Sequence, residues 1–277
     1  MAKTTKIQWA DATWNPFIGC TKVSPACDNC YAEAWARRCG RKFSKVVRSA
    51  GPTFRAPLAW KEPKRIFVCS LSDFFHNDIL RADRHDAIHV MRTAPQHTYM
   101  LLTKRPENIK AQLAGTVWAA GLPDNVWLGV TVENQEQADK RIPILLESQA
   151  KVRFISCEPL LGPVDILGYV GATWGQLNTG KFLHWVIAGG ESGFDARPMH
   201  PAWARSLRDQ CAAAGIPFMF KQWGEYAPSP DGGLPDYLPS SAGYYFEIPP
   251  YLSKVWRFGK KQAGRRLDRR EHNGVPA

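Results

Sequence analysis

At 277 residues and 44% hydrophobic content, the chain is long enough for one large α/β domain or two small ones, and apolar enough to exclude a disordered protein. No apolar run reaches membrane-spanning length, and the start, MAKTTKIQWADATW, lacks the apolar core of a signal peptide, so a cytoplasmic protein without a membrane partner is expected. Lys and Arg outnumber Asp and Glu by 36 to 25, a net charge of +11 that points to a polyanionic partner: DNA, RNA or a nucleotide.

In chain order, a first strand is expected at residues 7–9. The loop GCTKVSPACDNCYAEAWARRCG follows at 19–40 and holds four of the seven cysteines. Its end, CYAEAWARR, reads as a helix start. The next segment is basic, with ten Lys or Arg and one acid, Glu62, between Arg37 and Arg65. Trp35, Phe54, Trp60 and, in a second basic stretch at 254–270, Trp256 lie among these charges as candidates to stack on bases. Six apolar runs then recur at 65–75, 98–106, 125–134, 152–160, 183–192 and 216–224, each with the Val, Ile, Phe and Trp content of a strand buried on both faces. Helical stretches fall between them at 82–94, 106–114, 134–147 and 201–214. Pro106 and Pro201 suit a first helical turn, whereas Pro143 is expected to break or kink its helix.

This alternation predicts an α/β fold: a partial (β/α)6-type barrel with a mostly parallel sheet, an open doubly wound sheet being the alternative. Beyond residue 224 the sequence turns rich in Pro, Gly, Ser and Tyr. The expected organisation is therefore a barrel domain over 1–224 and an irregular, partly basic C-terminal extension over 225–277.

Each apolar run ends in polar residues: Ser70, Ser72 and Asp73; Thr103, Lys104 and Arg105; Glu133; Ser156 and Glu158; Gly189, Gly190 and Glu191; Lys221 and Gln222. In parallel α/β folds these strand ends form the ligand site. Six such ends in succession favour a shared pocket, although each carboxylate is equally well explained as the partner of a nearby Arg or Lys. No phosphate-binding Walker loop is present, and AGGESGF is a poor dinucleotide fingerprint. Cys69 and Cys157, inside apolar runs, read as core thiols.

Cys20, Cys27 and Cys30, spaced C-x6-C-x2-C, lie in a polar loop before a helix. Clustered thiols in a reduced compartment point to metal chemistry. A closed zinc site needs four ligands, and Cys39 would have to supply the last from across a helix of about 12 Å. A [4Fe–4S] cluster held by three thiolates instead leaves one iron open to S-adenosylmethionine, whose reductive cleavage starts radical chemistry.

At these residues the sequence resembles the radical S-adenosylmethionine enzymes, whose cysteine trio follows the first strand of a partial (β/α)6 barrel. Their usual spacing is C-x3-C-x2-C, with an aromatic residue where this chain has Asn29. It resembles more closely a phage and prophage family of three-Cys-motif proteins, through blocks such as IQWADATWNPFIGCTKVSPACDNCYAE, VCSLSDFFH, LLTKRPEN, FISCEPLLGPV, WVIAGGESG and GKKQAGRRLDRREHNGVP. The resemblance implies Cys20, Cys27 and Cys30 as cluster ligands and an electron donor as a partner. It implies Ser70, Ser72 or Asp73 at the methionine amino group and Thr103, Lys104 or Arg105 at its carboxylate or at a substrate phosphate. Glu133 and Glu158 would accept from ribose hydroxyls or substrate. The glycines of Gly189-Gly190-Glu191 would admit an adenine. The function expected is radical chemistry on a nucleotide, DNA or RNA base. The alternatives are a zinc-stabilised, non-catalytic nucleic-acid-binding protein and, last, a hydrolase using Glu133 and Glu158.

Overall fold

The computed structural model describes residues 5–171, 180–228, 244–248 and 251–277, with side chains omitted at 244–248 and 251–253. Seven strands form the main sheet: β1 (Ala12–Trp14), β4 (Arg65–Val68), β5 (Thr98–Thr103), β6 (Val126–Thr131), β7 (Arg153–Cys157), β8 (Trp185–Gly189) and β9 (Phe218–Gln222). They lie side by side in chain order. A doubly wound sheet would reverse its order at a switch point. Unreversed order is that of a (β/α) barrel, and this one is partial, with β1 and β9 as its two ends. A short antiparallel pair, β2 (Phe17–Ile18) with β3 (Val47–Arg48), flanks the cysteine loop.

The chain divides into two compact units, residues 1–131 with 141–154, and 132–140 with 155–277. In the first, β1, β4, β5 and β6 pair in parallel. Every residue of β6 is buried, the all-apolar pattern of a strand covered on both faces. Gly129 is needed here, because a Cβ would meet the Phe154 ring at 2.5 Å. The helices of this unit are α1 (Tyr31–Arg38), α2 (Gly51–Phe54), α3 (Arg81–Thr93) and α4 (Ile109–Leu113). The next helix, α5 (Gln135–Leu146), contains Pro143 and continues past it as one helix, contrary to the expected break. In the second unit β8 and β9 pair in parallel, with α6 (Pro201–Ala214) packed on both. Helix α6 begins on Pro201 and stops at Gly215, whose φ of +69° is the left-handed conformation that glycine adopts without penalty.

Two expectations are corrected. The first strand is Ala12–Trp14 rather than residues 7–9, because Ala12 and Trp14 alternate inward beside β4 while Trp9 packs side-on against Phe67. The extension is not wholly irregular: β10 (Tyr226–Ala227), β12 (Tyr251–Arg257) and β11 (Tyr244–Ile248) form a three-stranded antiparallel sheet, followed by α7 (Lys260–Ala263). The Pro/Gly-rich stretch 229–243 lies outside the described residues. No helix among the described residues is long and apolar enough to cross a membrane.

Candidate functional site

The three thiols sit in one loop between β2 and α1. Cys20 follows Gly19, Cys27 ends a 3-10 turn begun by Pro25, and Cys30 is the N-cap of α1. All three are free, Cys27 buried and the other two half-buried. Gly19 has a φ of +107°, and a Cβ there would strike the Lys45 carbonyl oxygen, so this turn into Cys20 requires glycine. Helix α1 runs unbroken from Tyr31 to Arg38 and places Cys39, exposed, at its C-cap. At about 1.5 Å per residue the eight-residue helix separates Cys39 from Cys30 by roughly 12 Å, too far for both to bind one ion at about 2.3 Å. The loop therefore offers three thiols.

The polar end of β4 holds that loop in place. Ser72 Oγ donates to the Gly19 carbonyl at 2.6 Å, and Leu71 and Ser70 are hydrogen-bonded to Asn15. Tyr31, beside Cys30, donates its hydroxyl to the Ser70 carbonyl at 2.6 Å. Asp73 is the node of the network. Its carboxylate accepts from the Thr103 hydroxyl at 2.8 Å and the backbone N–H groups of Phe75 and Lys104, each at 3.0 Å. It also faces the Arg105 guanidinium at 3.5 Å, with both side chains 7% exposed. These partners fill the roughly four acceptor sites of a carboxylate.

Arg105 continues the chain of contacts into the cysteine loop. Its guanidinium donates to the Thr21 carbonyl at 2.7 Å, the Thr21 hydroxyl at 2.8 Å and Cys20 Sγ at 3.4 Å. Burial pushes the Cys20 thiol up, while Arg105 opposes that rise. His76 also meets the Thr21 hydroxyl, at 2.9 Å through Nε2, while its Nδ1 accepts from the Asp78 N–H. The second contact leaves the proton on Nε2, and burial together with Arg105 holds the ring below its ordinary pKa, so it is neutral. Lys104 is half-buried, and its ammonium meets no anion among the described residues.

The polar strand ends of the second unit form their own cluster. Glu158 accepts from Ser156 at 3.2 Å and faces Lys221 Nζ at 3.0 Å. Gly189 lies against it, where a Cβ would sit 2.7 Å from Glu158 Oε1. Gln222 donates to the Gly190 carbonyl at 3.2 Å. Glu158 Oε1 and Gln222 Oε1 are buried acceptors that receive no hydrogen bond among the described residues, the former facing Lys221 only as an ion pair. Glu133 is wholly buried. Glu191, by contrast, forms a bidentate pair with Arg197 at 2.7 and 2.9 Å and receives the Arg197 N–H. It clasps its own loop.

Asn15, Thr21 and Arg197 were not singled out by the sequence. A lone Asn, Thr or Arg in a loop carries no spacing signal, and their roles emerge only from contacts across 55, 84 and 6 residues. Cys69 and Cys157 are core thiols as expected, and burial raises both well above the ordinary value. The aromatic residues expected to stack on bases are corrected: Phe54, Trp60 and Trp256 are buried, and the Phe54 ring carries the Arg48 guanidinium at 4.0 Å instead. Trp35 is half-buried.

The donor set can be tested against the group it implies. Among the described residues no three His, Cys, Asp or Glu side chains converge as ligands of a single metal ion. A four-iron cluster asks for something different, thiolates arranged around one core with each on its own iron rather than on one ion. The loop supplies soft sulfur donors, its neighbouring carboxylate Asp73 is committed elsewhere, and a guanidinium stands at Cys20 to balance negative charge. By donor type and number, the loop matches what an iron–sulfur cluster with three protein ligands takes.

The chain belongs to the DUF5131 family, described as proteins of unknown function, which it matches over residues 4–276. No curated protein matches it. Among solved structures it is similar to a spore photoproduct lyase variant determined with AdoMet and dinucleoside spore photoproduct bound, at 11% identity and a TM-score of 0.46, over 90% of this chain and 69% of that one.

Proposed function

We propose that this DUF5131 protein is a radical S-adenosylmethionine enzyme, related to the three-Cys-motif phage proteins and acting on a base of a nucleotide, DNA or RNA. The observation that carries the reading is the loop of three free thiols braced by Arg105, with Cys39 held away at the far end of α1. Cys20, Cys27 and Cys30 would hold a [4Fe–4S] cluster. When bound, such a cluster supplies the electron that splits the sulfonium of S-adenosylmethionine and begins radical chemistry.

The chain's own residues do the rest. Asp73, through Thr103 and Arg105, fixes the loop against the ends of β4 and β5. Arg105 places positive charge on Cys20, where a thiolate would otherwise stand half-buried and uncompensated. Lys104, which meets no anion among the described residues, is the cation for the methionine carboxylate. With Asp73 saturated, the amino group falls to the Ser70–Ser72 segment. In the second unit, Gln222 Oε1 and the Glu158 carboxylate, which also faces Lys221, are the acceptors proposed for hydroxyl or amino donors. Glu133 keeps its proposed role as a further acceptor.

The test is anaerobic reconstitution with iron, sulfide and reductant, followed by measurement of iron, labile sulfide and 5′-deoxyadenosine. Four irons and four sulfides per chain are expected, with nucleoside release that Cys27→Ala abolishes and Cys39→Ala leaves intact. One tightly held zinc without sulfide, lost in Cys39→Ala, would instead establish the zinc-stabilised binding protein.

A further inference from the structure

The basic charge of the first unit is not uniformly distributed between paired and unpaired side chains. Lys22 is matched by Glu33, Arg65 by Asp11, and Arg48 by both Asp83 and Asp86. Arg37, Arg38, Arg41, Lys42 and Lys45 are all exposed, and none has an anionic partner among the described residues. Arg37 and Arg38 have a sufficient local reason, since cations in the last turn of α1 oppose the helix dipole. Arg41, Lys42 and Lys45 have none.

The backbone that carries these three is nonetheless tied down by hydrogen bonds. The Arg41 N–H donates to the Ala36 carbonyl at the end of α1, and the Cys20 N–H donates to the Phe43 carbonyl, each at 2.9 Å. Val47 pairs with Ile18 in the β2–β3 ladder. The basic loop thus runs alongside Gly19 and Cys20 in fixed register. Between them lies a cavity of about 160 Å³, with Gly19, Ala36 and Phe43 in its lining and Arg41, Lys42 and Lys45 at its side. That volume matches the space of one aromatic ring, since a cavity of about 150 Å³ accepts benzene.

We infer that the end of α1 and the loop 41–45 form a docking surface for the sugar–phosphate backbone of a polynucleotide, beside the cysteine loop. Five unpaired cations exceed what one nucleotide can neutralise, and an apolar cavity among cations is what an unpaired strand uses to seat a base or sugar while its phosphates are tracked. The inference deepens the proposed function by naming a polymer as the substrate class. It rests on that reading for its catalytic meaning but not for the binding itself, which requires neither cluster nor S-adenosylmethionine.

The experiment is fluorescence anisotropy of the full-length protein with a labelled 20-nucleotide single strand, over a series of salt concentrations, with ATP as competitor. Five phosphate contacts predict a log–log salt slope of about −3.5, and Arg41→Gln/Lys42→Gln/Lys45→Gln should reduce it to about −1.4 and weaken binding on the order of tenfold or more. Lys140→Gln/Lys151→Gln, which removes two cations already matched by carboxylates, should change binding little. Unchanged thermal unfolding of the triple variant confirms that it folds. Absence of oligonucleotide binding, an equal loss in the control variant, or displacement by ATP at equimolar phosphate overturns the inference. Those results leave 5′-deoxyadenosine formation untouched, so failure here and failure of the proposed chemistry are told apart.

Discussion

Asp73 in the first unit and Glu158 in the second are both carboxylates at strand ends, and the sequence treats them alike. Their surroundings differ. Asp73 spends every acceptor position on Thr103, two backbone N–H groups and Arg105. Glu158 has one hydroxyl donor and one lysine, with an oxygen that is buried and receives no hydrogen bond among the described residues. A saturated carboxylate builds structure; one held by a single hydroxyl and a lysine keeps acceptor positions for a further donor. The contrast teaches that residue type at a strand end marks the region of interest, while the count of satisfied lone pairs separates braces from binding groups.

The largest effect follows from breaking the brace. Asp73→Ala removes the only carboxylate within ion-pair reach of Arg105 among the described residues and leaves that guanidinium buried. Breaking one side of a buried pair costs about 3–5 kcal/mol. Urea unfolding should show a loss of that size, and reconstituted protein should retain less iron because the cysteine loop loses its anchor. A loss under about 1 kcal/mol would mean that the network is incidental to stability.

How far these features were legible in the sequence differs by element. Helix α6 matches the expected bounds because both ends are written in chemistry, Pro201 at the start and Gly215 at the stop. The other six strands of the main sheet, β4 to β9, fall within their apolar runs, for burial on both faces leaves a continuous signal. Strand β1 is missed because three residues, Ala-Thr-Trp, are too short to show a period, and the stronger apolar residues just before them attract the assignment. Pro143 misleads because a proline removes one helical hydrogen bond without dictating that neighbouring turns separate. In the extension, the flanking Pro and Gly conceal β12. For the site, cysteine spacing is local and survives reading. The partnership of Arg105 with Thr21 is set by two loops meeting, and no sequence interval encodes it.

The contrast between the units is sharpened by acid. His76 in the first unit and His200 in the second are both held below their ordinary pKa of 6.5, chiefly by burial. His76 faces Arg105 and Arg84, with Asp78 and Asp73 opposing them, whereas Arg205 acts on His200. Both are neutral when folded, so above pH 6.5 neither makes stability depend on pH. As pH falls below 6.5 the unfolded chain takes up protons that the folded chain refuses, and stability declines. His76→Gln should flatten part of the decline below pH 6.5 in thermal melts, and His200→Gln a separate part. Identical pH profiles for wild type and both variants would remove these rings from the account.

The smallest effect on stability is expected at Glu158, and there its size carries the comparison. Glu158→Gln keeps the shape of the side chain and a hydrogen-bonding partner for Ser156, and it removes the charge facing Lys221. Lys221 retains 17% side-chain exposure, so water can still reach its ammonium, and the cost should fall below the about 3–5 kcal/mol expected for breaking a fully buried pair. Ligand binding should respond more. An amide accepts a hydroxyl donor more weakly than a carboxylate does, and losing a charge-assisted hydrogen bond costs about 1.5–3 kcal/mol, roughly tenfold or more in affinity. Calorimetry with S-adenosylhomocysteine on reconstituted protein measures that change, and urea unfolding of the same preparation measures the stability. A loss of stability as large as that of Asp73→Ala, with affinity unaltered, would make Glu158 a second brace and dissolve the distinction between the two carboxylates.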